Sequence, residues 1–201
     1  IWDTDTGELL QKIHFDESSI TDLDWAPEGE RVAVALSNGK ICICDVSCTQ
    51  SAALPGHDAR VTSLNWSPDG RKLVSASSDA TVRIWKVKDR LPAVNFRGHT
   101  NEISGISWSP NSRKISSLSS DGIMCVWDLE TRSKPVMMNA YDPSVDRPSW
   151  SPSGDAFVTA SRHGTVRVWQ PDGRLYLPPL REHVCPVTHV SWSESGKLTT
   201  V

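Results

Sequence analysis

This 201-residue sequence lacks the features that would place it in several common functional classes. It has no run approaching the roughly 18 consecutive apolar residues of a membrane-spanning helix. Its basic residues are scattered, and with a formal net charge of -3 it offers no clustered basic face for nucleic acid. It also has no glycine-rich loop of the kind that cradles phosphate groups. We therefore expect neither a membrane span nor a nucleic-acid partner.

Cysteine is sparse, and its five positions do not recur at a regular spacing. An odd number of irregularly spaced thiols is typical of a reduced intracellular protein rather than of a disulfide framework. The sequence therefore predicts an intracellular location, either cytoplasmic or nuclear. The five residues are Cys42, Cys44, Cys48, Cys125 and Cys185.

Tryptophan, by contrast, is abundant and periodic. The nine tryptophans form two series, each with a period of 41 or 42 residues. A fixed period in this range indicates that one supersecondary unit is repeated, and stacked units favour extended binding surfaces over a single catalytic pocket. The first series is Trp25, Trp66, Trp108, Trp150 and Trp192, and the second is Trp2, Trp85, Trp127 and Trp169, with Cys44 in its vacant slot.

The unit that opens with Gly56 and His57 shows the repeat most clearly. Alternating apolar residues bounded by turn signals predict four short antiparallel strands. Ser67-Pro68-Asp69-Gly70 forms the first predicted turn, because proline presets φ and glycine tolerates a positive φ. The predicted strands cover residues 61–66, 72–77, 81–86 and 92–96.

The next unit, which opens with Gly98 and His99, repeats this spacing. At 4 and 7 residues after His57 and after His99 there is an aliphatic residue, and at 9 residues there is a tryptophan. An aspartate follows at 22 residues and a second tryptophan at 28 residues in both units. Such agreement indicates two copies of one fold unit.

These motifs resemble those of the WD-repeat β-propeller family. The resemblance rests on the Gly-His opening, the Trp-Ser-Pro-Asp-Gly turn, the aspartate six residues before a tryptophan, and the closing Trp127-Asp128. Repeats of that family span about 40–45 residues and form one four-stranded blade each. The resemblance implies an all-β propeller segment with a part-blade at 1–14, four full blades at about 15–55, 56–97, 98–139 and 140–181, and a part-blade at 182–201.

Both ends of the sequence interrupt a unit, since it opens on Ile1-Trp2-Asp3 and stops at Val201. We therefore expect a piece of a larger propeller, and the commonest ring of the resembled family has seven blades. Four full blades with two part-blades predict an open arc rather than a closed five-bladed ring. Unprotected strand edges and blade faces favour self-association.

The outer units depart from the pattern of the two central ones. In the first unit Asp16 takes the histidine slot, Asn38 the aspartate slot and Cys44 the tryptophan slot. In the fourth unit Tyr141 and His163 replace the histidine and the aspartate. We expect these blades to be held less firmly.

Equivalent positions of the two central units carry the same four polar residue types. A serine, a histidine and an aspartate can form a hydrolytic triad. Here Ser75 lies inside a strand, no loop is placed to supply an oxyanion hole, and the set occurs twice. We interpret both sets as buried structural networks, the role that the resemblance also implies, and predict no catalytic residue. The sets are His57, Ser75, Asp79 and Trp85, and His99, Ser117, Asp121 and Trp127.

Two groups contain residue types that bind metals. His183 lies in the histidine slot of its repeat, and His189 lies in a predicted first strand. We therefore expect the two imidazoles to point apart, so that they do not form a metal site with Cys185. Cys42 and Cys44 share one strand face, but no histidine near them completes a tetrahedral set. The sequence predicts neither a metal site nor a cofactor.

The resemblance places partner docking on the face that carries the loop before each first strand and the turn before each third strand. Residues at these positions are polar or charged, of mixed sign, and include no aromatic cluster. They suit a polar docking rim, and they are also typical of ordinary solvated loops. The six candidates are Arg60, Ser78, Glu102, Ser120, Ser144 and Arg162.

These observations favour a non-enzymatic scaffold or sensor that binds other proteins or peptides within a larger complex. The alternative is an accessory propeller of a multidomain protein, such as a nucleotide-hydrolysing signalling protein whose catalytic part lies elsewhere. A phosphate-binding Gly-Lys-Ser/Thr loop in flanking sequence would favour that alternative.

Overall fold

The computed structural model describes residues 1–15, 18–45, 51–54, 56–87, 91–131, 133–140 and 147–201, without the side chains of residues 51–52 and 91–93. Within these ranges it contains seventeen β-strands in five antiparallel sheets. The predicted all-β class is therefore confirmed. In the same ranges, no helix is long and apolar enough to cross a membrane.

Three sheets are four-stranded meanders in which the strand order follows the chain. Short strands with alternating or fully apolar patterns form them, and tight turns join the strands. Sheet 1 consists of β1 (Ile20–Trp25), β2 (Arg31–Leu36), β3 (Ile41–Asp45) and β4 (Ser51–Leu54). Sheet 2 consists of β5 (Val61–Trp66), β6 (Lys72–Ser77), β7 (Thr81–Lys86) and β8 (Leu91–Arg97). Sheet 3 consists of β9 (Ile103–Trp108), β10 (Lys114–Ser119), β11 (Ile123–Asp128) and β12 (Val136–Asn139).

The last two sheets are smaller. Sheet 4 consists of β13 (Ser149–Trp150), β14 (Phe157–Ala160) and β15 (Val166–Trp169), and sheet 5 of β16 (Val190–Trp192) and β17 (Leu198–Thr200). We predicted a fourth strand in sheet 4, but only the isolated bridges Val166–Leu180 and Trp169–Leu175 stand in its place among the described residues. Pro178 and Pro179 lie between those bridges, and because proline has no N–H to donate, a continuous ladder cannot form there.

The turn after the first strand is built in the same way in sheets 2 to 5, where a serine hydroxyl accepts a backbone N–H, whereas sheet 1 has Ala26 at that position. In sheet 2, Gly70 N donates to Ser67 O at 2.8 Å, and Ser67 Oγ accepts from Lys72 N at 2.9 Å. Gly70 has a φ of +67°, so glycine suits this position, whereas Ser112 adopts a φ of +57° at the equivalent turn of sheet 3. The predicted Ser-Pro-Asp-Gly turn is therefore present, and it sets the register of the first two strands.

Successive sheets pack face to face and share their apolar cores. Between sheets 1 and 2, Ala33 and Ile41 pack with Leu64 and Trp85, and all four side chains are buried. Trp85, Trp127 and Trp169 of the second tryptophan series fill these interfaces, whereas Trp2 of the same series is exposed. The cores thus stabilise the sheets in chain order.

The first tryptophan series joins neighbouring sheets by hydrogen bonds. Trp66 Nε1 donates to the carbonyl of Asp24 at 3.1 Å, and Trp108 Nε1 donates to the carbonyl of Asn65 at 2.9 Å. Each acceptor directly precedes the tryptophan of the preceding sheet. Trp150 differs, because its indole donates to Ser116 Oγ at 2.8 Å. The sequence period therefore reflects contacts between blades as well as within them.

Candidate functional site

The four-residue set of sheet 2 forms one continuous buried network. His57 Nδ1 lies 2.9 Å from Asp79 Oδ2, and His57 Nε2 lies 2.7 Å from Ser75 Oγ. Trp85 Nε1 donates to the same Ser75 oxygen at 2.9 Å. These contacts require a proton on Nδ1, so that the imidazole donates to the carboxylate and accepts from the serine hydroxyl. The network thereby links the turn before β7 to the middle of β6.

Thr81 completes this network, although sequence reasoning did not single it out. Its hydroxyl donates to Asp79 Oδ1 at 2.6 Å and lies 3.1 Å from His57 Nδ1. Arg83 adds a second support by donating to the Gly56 carbonyl at 2.8 Å. Both side chains follow Asp79 at two-residue intervals on one face of β7, and this alternation was the available signal.

Burial and hydrogen bonding fix the protonation states of this network. Burial lowers the pKa of His57, and the opposing effect of Asp79 does not restore it, so the imidazole is neutral near pH 7. Although burial alone would raise it, hydrogen bonds from Thr81 and the neighbouring His57 hold the pKa of Asp79 below its ordinary value. Ser75 is fully buried, so its hydroxyl is out of reach of a substrate. The arrangement therefore suits stabilisation of the blade rather than hydrolysis.

The equivalent set of sheet 3 is divided into two parts. His99 Nε2 lies 2.7 Å from Ser117 Oγ, which also accepts from Trp127 Nε1 at 2.8 Å. His99 Nδ1, however, faces Cys125 Sγ at 3.9 Å rather than Asp121. The expectation that Asp121 accepts from this imidazole was wrong, because a cysteine and an isoleucine stand where sheet 2 has Arg83 and Thr81.

Asp121 instead stabilises its own turn. It accepts from the hydroxyl of Ser119, from Ile123 N at 3.1 Å and from Thr100 Oγ1 at 3.5 Å. Burial lowers the pKa of His99 to about 4 and raises the pKa of the Cys125 thiol to about 12, so both groups are neutral near pH 7.

The remaining sheets keep single elements of the network. In sheet 4, Trp169 Nε1 donates to Thr159 Oγ1 at 2.9 Å. In sheet 5, His183 Nε2 lies 2.6 Å from Thr200 Oγ1. Thr200 was missed because the turn before β17 is one residue shorter than the turn before β6, which shifts the counting by one. Of the substituted positions in the outer units, Asp16 and Tyr141 lie outside the described residues.

The candidate docking rim lies at the end of the sheets that carries these networks. Arg60, Glu102, Ser120 and Arg162 are exposed, and Ser78 is partly buried. Ser78 Oγ donates to Glu102 Oε1 at 2.7 Å, which joins the rims of sheets 2 and 3 directly. Within sheets 2 and 3, the turn residue donates its backbone N–H to the loop residue, from Ser78 to Arg60 and from Ser120 to Glu102, at 2.9 Å in both. Ser144, the sixth rim residue, lies outside the described residues.

The first strands of successive sheets lie side by side. Asp22 Oδ2 in β1 accepts from Leu64 N at 2.7 Å, and Asp24 Oδ2 accepts from Trp66 N at 2.6 Å. Both carboxylates therefore satisfy N–H groups on the unpaired edge of β5. Arg147 of the fourth repeat pairs with Asp22 and contacts the Leu64 carbonyl at 3.4 Å. Sequence reasoning missed this contact because its partners lie in repeats that are far apart in sequence.

The residues of metal-binding type are not gathered into one site. Among the described residues, no group of three or more histidine, cysteine, aspartate or glutamate side chains is placed to hold a metal ion. His183 contacts Thr200, and Cys185 is exposed. Cys44 is buried in sheet 1, Cys42 is partly buried, and Cys48 lies outside the described residues.

Comparisons with known families give two matches. The model for the WD domain, G-beta repeat matches residues 47–86, 91–128 and 143–170, which together exceed half of the chain. The model for the anaphase-promoting complex subunit 4 WD40 domain matches residues 1–53. A comparison with curated proteins gave no match.

Proposed function

We propose that this chain, which belongs to the WD-repeat family, docks partner proteins on the rim formed by Arg60, Ser78, Glu102, Ser120 and Arg162. WD repeats in general are interaction scaffolds without catalytic activity, and the described strands supply a rigid frame for loops of variable chemistry.

The observation that carries the proposal is the contact between Ser78 and Glu102. It joins the turn of sheet 2 to the entry loop of sheet 3, so that two blades present one continuous polar surface. A partner on this surface would contact both blades at once. The buried contacts of His57 with Ser75 and of His99 with Ser117 fix the loops that carry these histidines. Fixed loops lose less conformational entropy when a partner binds.

The chemistry of the rim favours a polar partner surface of mixed charge. Arg60 and Arg162 are exposed cations and Glu102 is an exposed anion. Charges of this kind steer association and select partners more than they increase affinity. We expect a partner with an acidic group facing Arg60 or Arg162 and a donor facing Glu102, and an association rate that falls as salt increases.

The second family match supports assembly within a larger complex. The name of that family refers to subunit 4 of the anaphase-promoting complex, and the word subunit indicates an assembly of several chains. A matched scaffold module would contribute surfaces to such an assembly and no reaction of its own. For this chain we therefore propose a subunit-type role in which the rim contacts another polypeptide.

The test compares charge reversals at the two ends of the sheets. A rim variant carries Arg60→Glu, Glu102→Lys and Arg162→Glu, and the control carries Arg71→Glu, Glu28→Lys and Arg113→Glu. The control residues are also exposed, lie in turns at the opposite end, and change the net charge by the same amount. Partners captured by the wild-type chain should be lost from the rim variant and retained by the control. Equal capture by both variants would place the docking surface elsewhere.

A further inference from the structure

The end of the sheets that carries the docking rim becomes apolar at sheet 5. Val184, Cys185 and Pro186, in the loop before β16, are all exposed, and Val184 is 100% exposed. Among the described residues, no other large hydrophobic side chain is exposed by more than 68%. The equivalent loop residues of sheets 2 and 3 are mostly polar or charged. They are Asp58, Ala59 and Arg60 in sheet 2, and Thr100, Asn101 and Glu102 in sheet 3.

The loop that carries this apolar surface is fixed on the body of the sheets. His183 Nε2 lies 2.6 Å from Thr200 Oγ1, and Val187 at the far end of the loop is fully buried. The turn of sheet 4 packs directly against the loop, because a Cβ added at Gly164 would clash with the backbone oxygen of His183. Val184 is therefore presented to solvent by a fixed loop, which loses little conformational entropy when a partner binds.

The exposure of Val184 is a property of its position in the repeat. Its equivalent in sheet 2, Asp58, has 89% of its side chain exposed, although sheet 2 has four strands and packs against neighbours on both sides. The equivalent Thr100 of sheet 3 is also exposed. A following sheet therefore does not cover this position. Sheets 2 and 3 place a polar residue there, whereas sheet 5 places a valine.

A cation adjoins this apolar surface at the junction of sheets 4 and 5. Arg162 occupies the turn position that Ser78 has in sheet 2, and Pro186 occupies the loop position that Glu102 has in sheet 3. The junction that joins Ser78 to Glu102 between sheets 2 and 3 thus has a guanidinium and a proline here. Among the described residues, no hydrogen bond or ion pair occupies the Arg162 side chain. Its donors are free to bind a carboxylate.

We propose that this junction anchors the partner, by packing an aliphatic side chain against Val184 and Pro186 while Arg162 pairs with an adjacent carboxylate. The inference rests on the proposed docking rim and specifies the partner sequence that the rim selects. Apolar contact beside an arginine is typical of the residues that dominate binding energy at interfaces. Arg181 and Glu182 at the start of the loop are exposed and opposite in sign, so Arg162 leaves the described part of the junction positive.

The experiment is a nuclear magnetic resonance titration of the 201-residue chain with short peptides blocked at both ends. The probe is acetyl-Gly-Asp-Leu-Gly-amide, which places a carboxylate next to an aliphatic side chain. One comparison peptide has asparagine in place of the aspartate, and the other has glycine in place of the leucine. Saturable shifts of the backbone amides of Gly164, Val184 and Cys185 are expected with the probe, and both comparison peptides should bind more weakly.

Two substitutions should weaken binding of the probe. Val184→Ser should raise the dissociation constant about three- to tenfold, as expected when about half of a valine side chain is buried. Arg162→Gln should raise it about two- to fivefold, and this loss should shrink as salt increases. Both side chains are exposed, so neither substitution should disturb the fold. The matched controls, Met137→Ser and Arg71→Gln, remove an exposed apolar side chain and an exposed cation elsewhere and should leave binding unchanged.

Three results would overturn the anchor: no saturable shifts with the probe, equal binding of the three peptides, or unchanged binding by Val184→Ser. Partner capture separates this failure from a failure of the docking rim. If the rim variant loses the partner and Val184→Ser retains it fully, the rim is correct and the anchor is wrong. If the rim variant retains the partner, the docking rim is wrong and the anchor is wrong with it.

Discussion

The carboxylate of Asp79 lies 2.9 Å from His57 Nδ1, whereas the equivalent His99 faces the thiol of Cys125. Two blades of one chain thus place the same residue types at the same positions but connect them differently. In sheet 2 the aspartate is the acceptor for a buried imidazole. In sheet 3 it stabilises an exposed turn. The pair allows the contribution of a single hydrogen bond to be tested within one molecule.

We predict that Asp79→Ala lowers the free energy of unfolding by about 1–3 kcal/mol, because it leaves the buried His57 N–H and the Thr81 hydroxyl without their acceptor. Asp121→Ala should cost less, because it leaves no buried imidazole without an acceptor, although it removes the acceptor of the buried Ser119 hydroxyl. Asn38→Ala, which removes an exposed acceptor of Lys40 N, should cost least. Denaturant unfolding of the three variants measures the order, and equal losses would contradict the division into firmly and loosely held blades.

A second prediction concerns pH. Burial lowers the pKa of His99 to about 4 from an ordinary value of 6.5, so the folded state resists protonation that the unfolded state accepts. The stability that this group contributes is present above pH 6.5 and is lost as the pH falls from 6.5 toward 4. The loss amounts to roughly 3 kcal/mol. Urea unfolding across this range should show a shallower pH dependence for His99→Gln than for the wild type, and identical profiles would argue against a buried neutral imidazole.

The strands of the central repeats could be predicted closely from the sequence. The expected strands at 61–66, 72–77 and 81–86 coincide with β5, β6 and β7. Local information suffices there, because turn residues, alternation and the tryptophan spacing all favour the same structure. The weaker fourth strand of sheet 4 was overpredicted, since the repeat period suggested a strand where Pro178 and Pro179 prevent a continuous ladder.

Contacts between repeats were less accessible to sequence reasoning. The pairing of Arg147 with Asp22 joins residues separated by 125 positions and depends on how far apart the first strands lie. Likewise, the role of Asp121 depends on two neighbours, Ile123 and Cys125, that differ from those of sheet 2. A motif fixes which residue types recur, whereas the partners of a long side chain depend on the surrounding packing.

A third prediction concerns the turns that face the next sheet. Gly39 has a φ of +87°, and a Cβ added there would clash with the backbone oxygen of His57. Gly29 also has a positive φ, +75°, but open space surrounds it. Gly29→Ala should lower the free energy of unfolding by about 1 kcal/mol, because it introduces backbone strain but no clash. Gly39→Ala should lower it more, because the clash adds to the same strain. Equal thermal melting shifts would show that the sheets separate easily at this contact.

The last prediction concerns the exposed face of sheet 1. Ile20, Leu23 and Trp25 are 51%, 53% and 40% exposed, although the equivalent residues of sheet 2 are buried against sheet 1. A contiguous apolar surface of this kind favours association. The chain should therefore self-associate in sedimentation velocity, and Ile20→Glu with Leu23→Glu should shift it toward monomer. The matched control, Val184→Glu with Val201→Glu, places the same added charge on exposed side chains outside this face. An equal shift in the control would assign the effect to net charge instead of to the apolar face.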